Sequence, residues 1–153
     1  MALEVERKFL VVSDGWREGA HACPIRQGYL CLEADATVRV RVAGENAFIT
    51  VKGKTAGMSR SEFEYPVPLA DAQAMLDELC IRPLIEKVRY SVTYAGKVWT
   101  VDVFEAANAG LIMAEVELKS PDEVVDVPSW VGEEVTYDPR YRNSSLVSEP
   151  QGE

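Results

Sequence analysis

Six stretches of the chain place charged residues two apart: Glu4/Glu6/Lys8, Arg39/Arg41, Lys52/Lys54, Arg60/Glu62/Glu64, Lys87/Arg89 and Glu115/Glu117/Lys119. Mostly apolar residues sit between them, as in Val38-Arg39-Val40-Arg41-Val42 and Ala114-Glu115-Val116-Glu117-Leu118. A strand points successive side chains to opposite faces, so each set projects from one side while the other side is apolar. Paired bases can cradle phosphoryl oxygens, arginine through forked hydrogen bonds and lysine as a point charge. Carboxylates can hold a hard divalent cation that shares its coordination with phosphate and water. Strands that each carry one ionic face could therefore build a site for a metal-bound polyanion.

The competing explanation is a set of half-buried strands whose polar side is simply wet. Charge balance argues against it. With Asp102 added, the alternating set holds nine bases and seven acids, a sum of +2, whereas the whole chain is −9 with 16 bases and 25 acids. The remaining residues thus hold 7 bases against 18 acids, or −11. A merely solvated face would share that acidic bias. The bases are also sorted into pairs on separate strands, and the acids gather on the first and last. A cationic floor with a carboxylate rim is the expectation.

The elements that must position these residues are mainly strands, expected near 3–12, 25–32, 36–42, 47–54, 60–67, 83–94, 97–104 and 111–119. Turn signals at Ala43-Gly44-Glu45-Asn46, Ala95-Gly96 and Ala106-Ala107-Asn108-Ala109-Gly110 give connections short enough for antiparallel neighbours. One helix is predicted over 69–80, where Leu69, Ala72, Met75, Leu76, Leu79 and Cys80 recur at helical spacing. Ser120-Pro121-Asp122-Glu123 has the pattern of a capping box with proline at the first helical position, and 139–147 reads as a last short helix. His21 falls in an expected loop. Trp16, Trp99 and Trp130 read as packing residues.

The 153 residues are expected to form one α+β domain over 1–153, with a loose tail from about 148. Hydrophobic content of 47 % and charged content of 27 % are ordinary for a globular protein. No secretory pattern opens the chain, and no apolar run approaches the ~20 residues that span a bilayer. Cys23, Cys31 and Cys80 are odd in number and lack CxxC spacing, which favours free thiols in a reducing compartment, by default the cytoplasm. A pI near 4.7 disfavours nucleic acid as the partner.

Eight antiparallel strands can close into a barrel that holds side chains and one small ligand. With the apolar face inward it would be an ordinary barrel with a charged exterior. With the charged face inward, sixteen ionisable groups share one tunnel, tolerable only if they pair with one another, water or a charged ligand. The predicted helix could cover only part of the apolar exterior.

The order of motifs along the chain decides between these senses. Glu4-Val5-Glu6-Arg7-Lys8 is followed by Gln27-Gly28-Tyr29-Leu30, Arg39-x-Arg41, Thr50-Val51-Lys52-Gly53-Lys54, Arg60-x-Glu62-x-Glu64, Lys87-x-Arg89, Asp102-x-Phe104 and Glu115-x-Glu117. The chain ends with Glu134-Val135-Thr136 and Arg140-Tyr141-Arg142-Asn143-Ser144. From residue 4 to about 146 this resembles a short bacterial member of the CYTH superfamily, the triphosphate tunnel metalloenzymes. The resemblance implies an eight-stranded antiparallel barrel with a charged interior and a few flanking helices.

It further implies a metal-dependent hydrolase that converts inorganic tripolyphosphate to pyrophosphate and phosphate. Lys8, Arg39, Arg41, Lys52, Lys87 and Arg89 would hold phosphoryl oxygens, with Lys54 and Arg60 as extra contacts. Glu4, Glu6, Glu115 and Glu117 would hold Mg²⁺ or Mn²⁺. Asp102, Glu62 and Glu64 would join them or partner the bases. Tyr29 shares a face with Gln27 and would enter the tunnel near Lys8. Cationic neighbours would favour its phenolate and make Tyr29 with Lys8 the proton-handling pair, unless the ring is packed structurally or tethers the C-terminal helix. The superfamily also contains nucleotide and thiamine triphosphatases and class IV adenylyl cyclases, which share the tunnel. A non-catalytic module binding polyphosphate or a nucleotide is a further reading, disfavoured because a pure anion binder needs no carboxylates. A homodimer is consistent with the resemblance.

Overall fold

The computed structural model describes residues 3–151. Its strands are β1 (Leu3–Val11), β2 (His21–Leu32), β3 (Ala36–Ala43), β4 (Asn46–Gly53), β5 (Ser59–Pro66), β6 (Ile85–Tyr94), β7 (Lys97–Phe104), β8 (Ile112–Glu117) and β9 (Val131–Glu134). Two helices, α1 (Leu69–Glu78) and α2 (Asn143–Ser148), and two 3₁₀ turns complete it. All neighbouring strands are antiparallel in the order β5-β4-β3-β2-β6-β7-β8-β1, and the ring closes where β1 also pairs with β5. One edge of β1 is divided: Leu3–Val5 pair with β5, and Phe9 and Val11 pair with β9.

Alternation puts the ionic sides of the strands inward and the apolar sides outward. The outward residues Val5, Phe9, Trp99, Val101, Ala114 and Val116 form one buried cluster, roofed by Trp16 from the β1–β2 loop and Trp130 from the segment after β8. The second outer patch, Val40 and Ala47, is covered by Ala72, Leu76 and Cys80 of the α1 region. Two loops carrying tryptophans therefore do half of the work expected of helices. Gly28 sits where β2 passes beneath this cover: an added Cβ would lie 2.7 Å from Leu84 and 2.8 Å from Cys80. Gly28→Ala is expected to cost about 1–3 kcal/mol through overpacking, read as a lower midpoint in urea.

Inside the barrel one end is apolar. Tyr29, Ile85, Phe104 and Met113 meet Leu146 and Val147 of α2, which stoppers that end. A register shift between Tyr29 and Cys31 marks a bulge in β2 next to the tyrosine.

Five expectations need correction. β2 begins at His21, paired with Ser91, so the histidine stands on a strand, where it is exposed. The reading started after Pro24 because proline cannot donate to a ladder. β9 was not predicted, since Val-Gly-Glu-Glu has no alternation and is strand only because β1 leaves an edge free. Residues 120–123 form a turn: the Glu123 carboxylate is occupied by the Lys119 N–H and the Lys97 ammonium, and Val124 is exposed, giving a helix no face to bury. The predicted helix over 139–147 is a 3₁₀ turn, Pro139–Tyr141, then α2, separated by the extended backbone of Arg142. Beyond 148 the chain is not wholly loose, as Gln151 N–H donates to Asn108 Oδ1 at 2.8 Å.

Candidate active site

Register stacks the ionic residues in rows across the wall. Tyr29, Arg39, Thr50 and Glu64 are successive neighbours on β2 to β5, and Thr37, Lys52 and Glu62 form the next row. Lys8 faces Glu115, Glu6 faces Glu117, Arg89 faces Asp102, and Glu4 meets Arg60 where the ring closes. The result is one cavity of about 180 Å³.

Its carboxylates include the expected Glu4, Glu6, Glu62, Glu115 and Glu117. Its bases include the expected Lys8, Arg39, Arg41, Lys52, Arg60 and Arg89, and Tyr29 also lines it. Three expected residues stand apart. Lys54 is exposed and does not line the cavity. Lys87 is fully buried, 2.7 Å from Asp102 Oδ2. Asp102 lies inside the barrel below the cavity floor, 1 % exposed, with Arg89 donating to Oδ1 and Oδ2 at 2.8 and 2.9 Å. Both its oxygens are engaged by bases, Arg89 and Lys87.

The reading missed Arg142, Asn143 and Ser144, which reach the cavity from the start of α2. No alternation flags them, because they arrive on a turn and a short helix. The ordered C-terminal motif was the available signal, but it carried no chemical assignment. Gln27, placed on the inward face, takes part as well: its Oε1 accepts from Arg41 Nε at 2.7 Å.

Charges of like sign crowd one another here. Burial, together with Arg39 and Arg89, pushes Arg41 down to about 9. Arg39 is 6 % exposed and its Nε–H is buried without an acceptor. On the acid side, burial and then the Glu115 and Glu4 carboxylates push Glu6 well above the usual range. Glu62 is raised to about 7, chiefly by its hydrogen bond with Glu4 and then by burial. Burial works to raise Glu4 too, but the Glu62 hydrogen bond and Lys52 outweigh it and hold Glu4 low. Lys52 bridges the pair, 2.7 Å from Glu4 and 3.3 Å from Glu62. Burial opposes the charge on Lys8, yet Glu115, Glu6 and Glu4 hold its pKa above the ordinary value.

A hard cation fits this donor set. Every candidate ligand is a carboxylate, Glu4 Oε2 is buried with the Lys52 ammonium 2.7 Å away, and Glu6 and Glu115 repel each other. Among the described residues no three such side chains already converge on one point, so the ligand shell would draw on the anion and water as well.

Fold and site together define an antiparallel barrel whose interior is lined by clustered bases and carboxylates. Residues 2–149 match the CYTH domain, and the chain belongs to that family. It is 45 % identical over 150 residues to an inorganic triphosphatase of Acetivibrio thermocellus, covering 98 % of this chain and 96 % of that protein. An inorganic triphosphatase of Nitrosomonas europaea is 39 % identical, covering 94 % and 96 %. Among solved structures, an inorganic triphosphatase with 34 % identity superposes with a TM-score of 0.70 and covers 99 % of both chains. A Hippeastrum protein described as a candidate adenylyl cyclase with dominant triphosphatase activity shares the fold at a TM-score of 0.58 and 13 % identity, covering 77 % of this chain and 80 % of that one.

Proposed function

We propose that this CYTH protein hydrolyses inorganic tripolyphosphate to pyrophosphate and phosphate with Mg²⁺ or Mn²⁺. The observation that carries the reading is the double crowding inside one cavity. Arginines repel one another beside carboxylates that do the same, and an anion bound with a cation relieves both. Two full-length relatives named for this activity support it.

Catalysis of phosphoryl transfer is largely positioning and charge stabilisation. Arg39, Arg41, Arg89 and Lys52 would orient the phosphoryl chain and spread its charge. Glu4, Glu6, Glu115 and Glu117 would hold the cation, which when bound neutralises and polarises the terminal phosphoryl group. Burial opposes the charge on Lys8, but Glu115, Glu6 and Glu4 favour it, which suits Lys8 to stabilising charge more than to accepting a proton. Tyr29 Oη, the remaining candidate, would take the proton of the attacking water. Tyr29→Phe is expected to lower kcat by about 10²-fold with KM little changed. Unchanged kcat would remove the phenol from the reaction.

The deciding assay is phosphate release from tripolyphosphate, ATP and thiamine triphosphate with Mg²⁺, Mn²⁺ or chelator. Preference for tripolyphosphate, abolished by chelator, is expected. Cyclic AMP made from ATP would replace the reading, and metal-independent turnover would overturn the carboxylate roles.

A cytoplasmic location is proposed on the three free thiols. Recovery of the native protein outside the cytoplasm would reject it. A homodimer is proposed on the outer face of β5, where Phe63 and Tyr65 are 45 % and 58 % exposed. Light scattering that returns the monomer mass would reject that.

A further inference from the structure

One hydrogen-bonded chain runs behind the cavity and joins two of its arginines. Arg41 Nε donates to Gln27 Oε1 at 2.7 Å, and Gln27 Nε2 donates to Asn143 Oδ1 at 3.2 Å. Lys87 Nζ donates to the same Asn143 oxygen at 2.9 Å and lies 2.7 Å from Asp102 Oδ2. Asp102 in turn holds Arg89 through both oxygens. Gln27 and Lys87 are fully buried and Asp102 nearly so.

The polarity of this chain is forced. Arginine and lysine only donate, so Gln27 must turn its oxygen to Arg41 and Asn143 must turn its oxygen to Lys87. The Gln27 amide N–H groups then have only the Asn143 oxygen to meet. The two halves of the chain, Arg41–Gln27 and Lys87–Asp102–Arg89, are joined through that one acceptor, at the first residue of α2. The rest of α2 is fixed independently by Leu146 and Val147 in the apolar stopper.

We propose that Asn143 is a positioning residue that sets the Arg41 and Arg89 guanidiniums on the bound polyphosphate and couples that binding to the docking of α2. The inference rests on the triphosphatase reading for its ligand. Coupling of this kind is reciprocal: an anion held by both arginines must also tighten α2.

The test uses the full chain and tripolyphosphate. In chelator, where turnover is stopped, calorimetry measures affinity, and amide exchange over 145–148 is followed with and without tripolyphosphate. With metal, kcat/KM is measured. Wild type should gain protection over 145–148 on binding. Asn143→Leu, which fills the space without an acceptor, should lose roughly 30-fold in affinity and in kcat/KM, and should lose the added protection. Asn143→Gln keeps an amide oxygen without adding charge and should lose clearly less than Asn143→Leu on both measures. If Asn143→Leu does not fold, Asn143→Ala takes its place with the same expected losses.

Wild-type affinity in the Leu or Ala variant would overturn the proposal. So would a Gln variant as weak as they are, because a role confined to filling space would not separate glutamine from leucine by its oxygen. Absence of phosphate release by wild type would count against the hydrolase reading alone, since the binding arm runs without turnover.

Discussion

Arg39→Ala is expected to lower turnover of tripolyphosphate by about 10²–10³-fold, measured as phosphate release at saturating Mg²⁺. The side chain donates to Thr50 Oγ1 at 3.1 Å and lies 3.7 Å from Glu64, leaving Nε–H buried with nothing to bond. Little of its hydrogen-bonding capacity is therefore spent on the fold. Its loss frees Arg41 from a repelling neighbour, and Glu64 is open enough to be solvated. Thermal midpoints should stay within about 5 °C of wild type, the scale of a 1 kcal/mol change. An alanine variant with full turnover would show that the anion does not bind where the arginines converge.

The second large effect concerns stability. Asp102→Asn keeps the shape but removes the carboxylate paired with buried Lys87 and the forked partner of Arg89. Breaking a buried pair on one side leaves an uncompensated cation, and a loss of about 3–5 kcal/mol is expected at pH 7 in urea unfolding. Lys87 is already pushed down to about 7, first by burial and then by Arg89 and Arg41 against the pull of Asp102. Burial works to raise Asp102 itself, but Lys87 and Arg89 outweigh it and set its folded pKa well below the unfolded value of ~3.9. Its contribution is therefore complete above that value and drains away as pH falls below it. The asparagine variant should lack this part of the acid decline. A variant within about 1 kcal/mol of wild type at pH 7 would show that the pair contributes little to the fold.

Strand alternation made most of the site readable, because period-two spacing alone says which side chains share a face. Glu4 through Lys8, Arg39 with Arg41, and Glu115 with Glu117 were placed by that rule and do line one cavity. The rule could not say how deep along a strand the open space extends. Lys87 and Asp102 carry the same alternation as Arg89 and Glu115, yet they sit deeper in the barrel beneath the open space, where their charges are spent on each other. Lys54 stands just beyond the end of β4 and is exposed. Asn143 was illegible for another reason: its contacts come from two partners far away in sequence, Gln27 and Lys87, and nothing local announces them. β9 likewise owes its conformation to a vacant edge of β1 and not to its own residues.

The ring of strands is joined at its ends by a short zipper, Leu3–Val5 against Ser59–Ser61, beyond which β1 turns to other neighbours. Glu4 and Arg60, opposite one another in that zipper, both belong to the ionic lining. A cation drawing on the first and an anion drawing on the second would rivet the place where the cylinder most easily gapes. Loading the enzyme and fastening its wall are then one thermodynamic event, and breathing at this joint belongs to the empty protein.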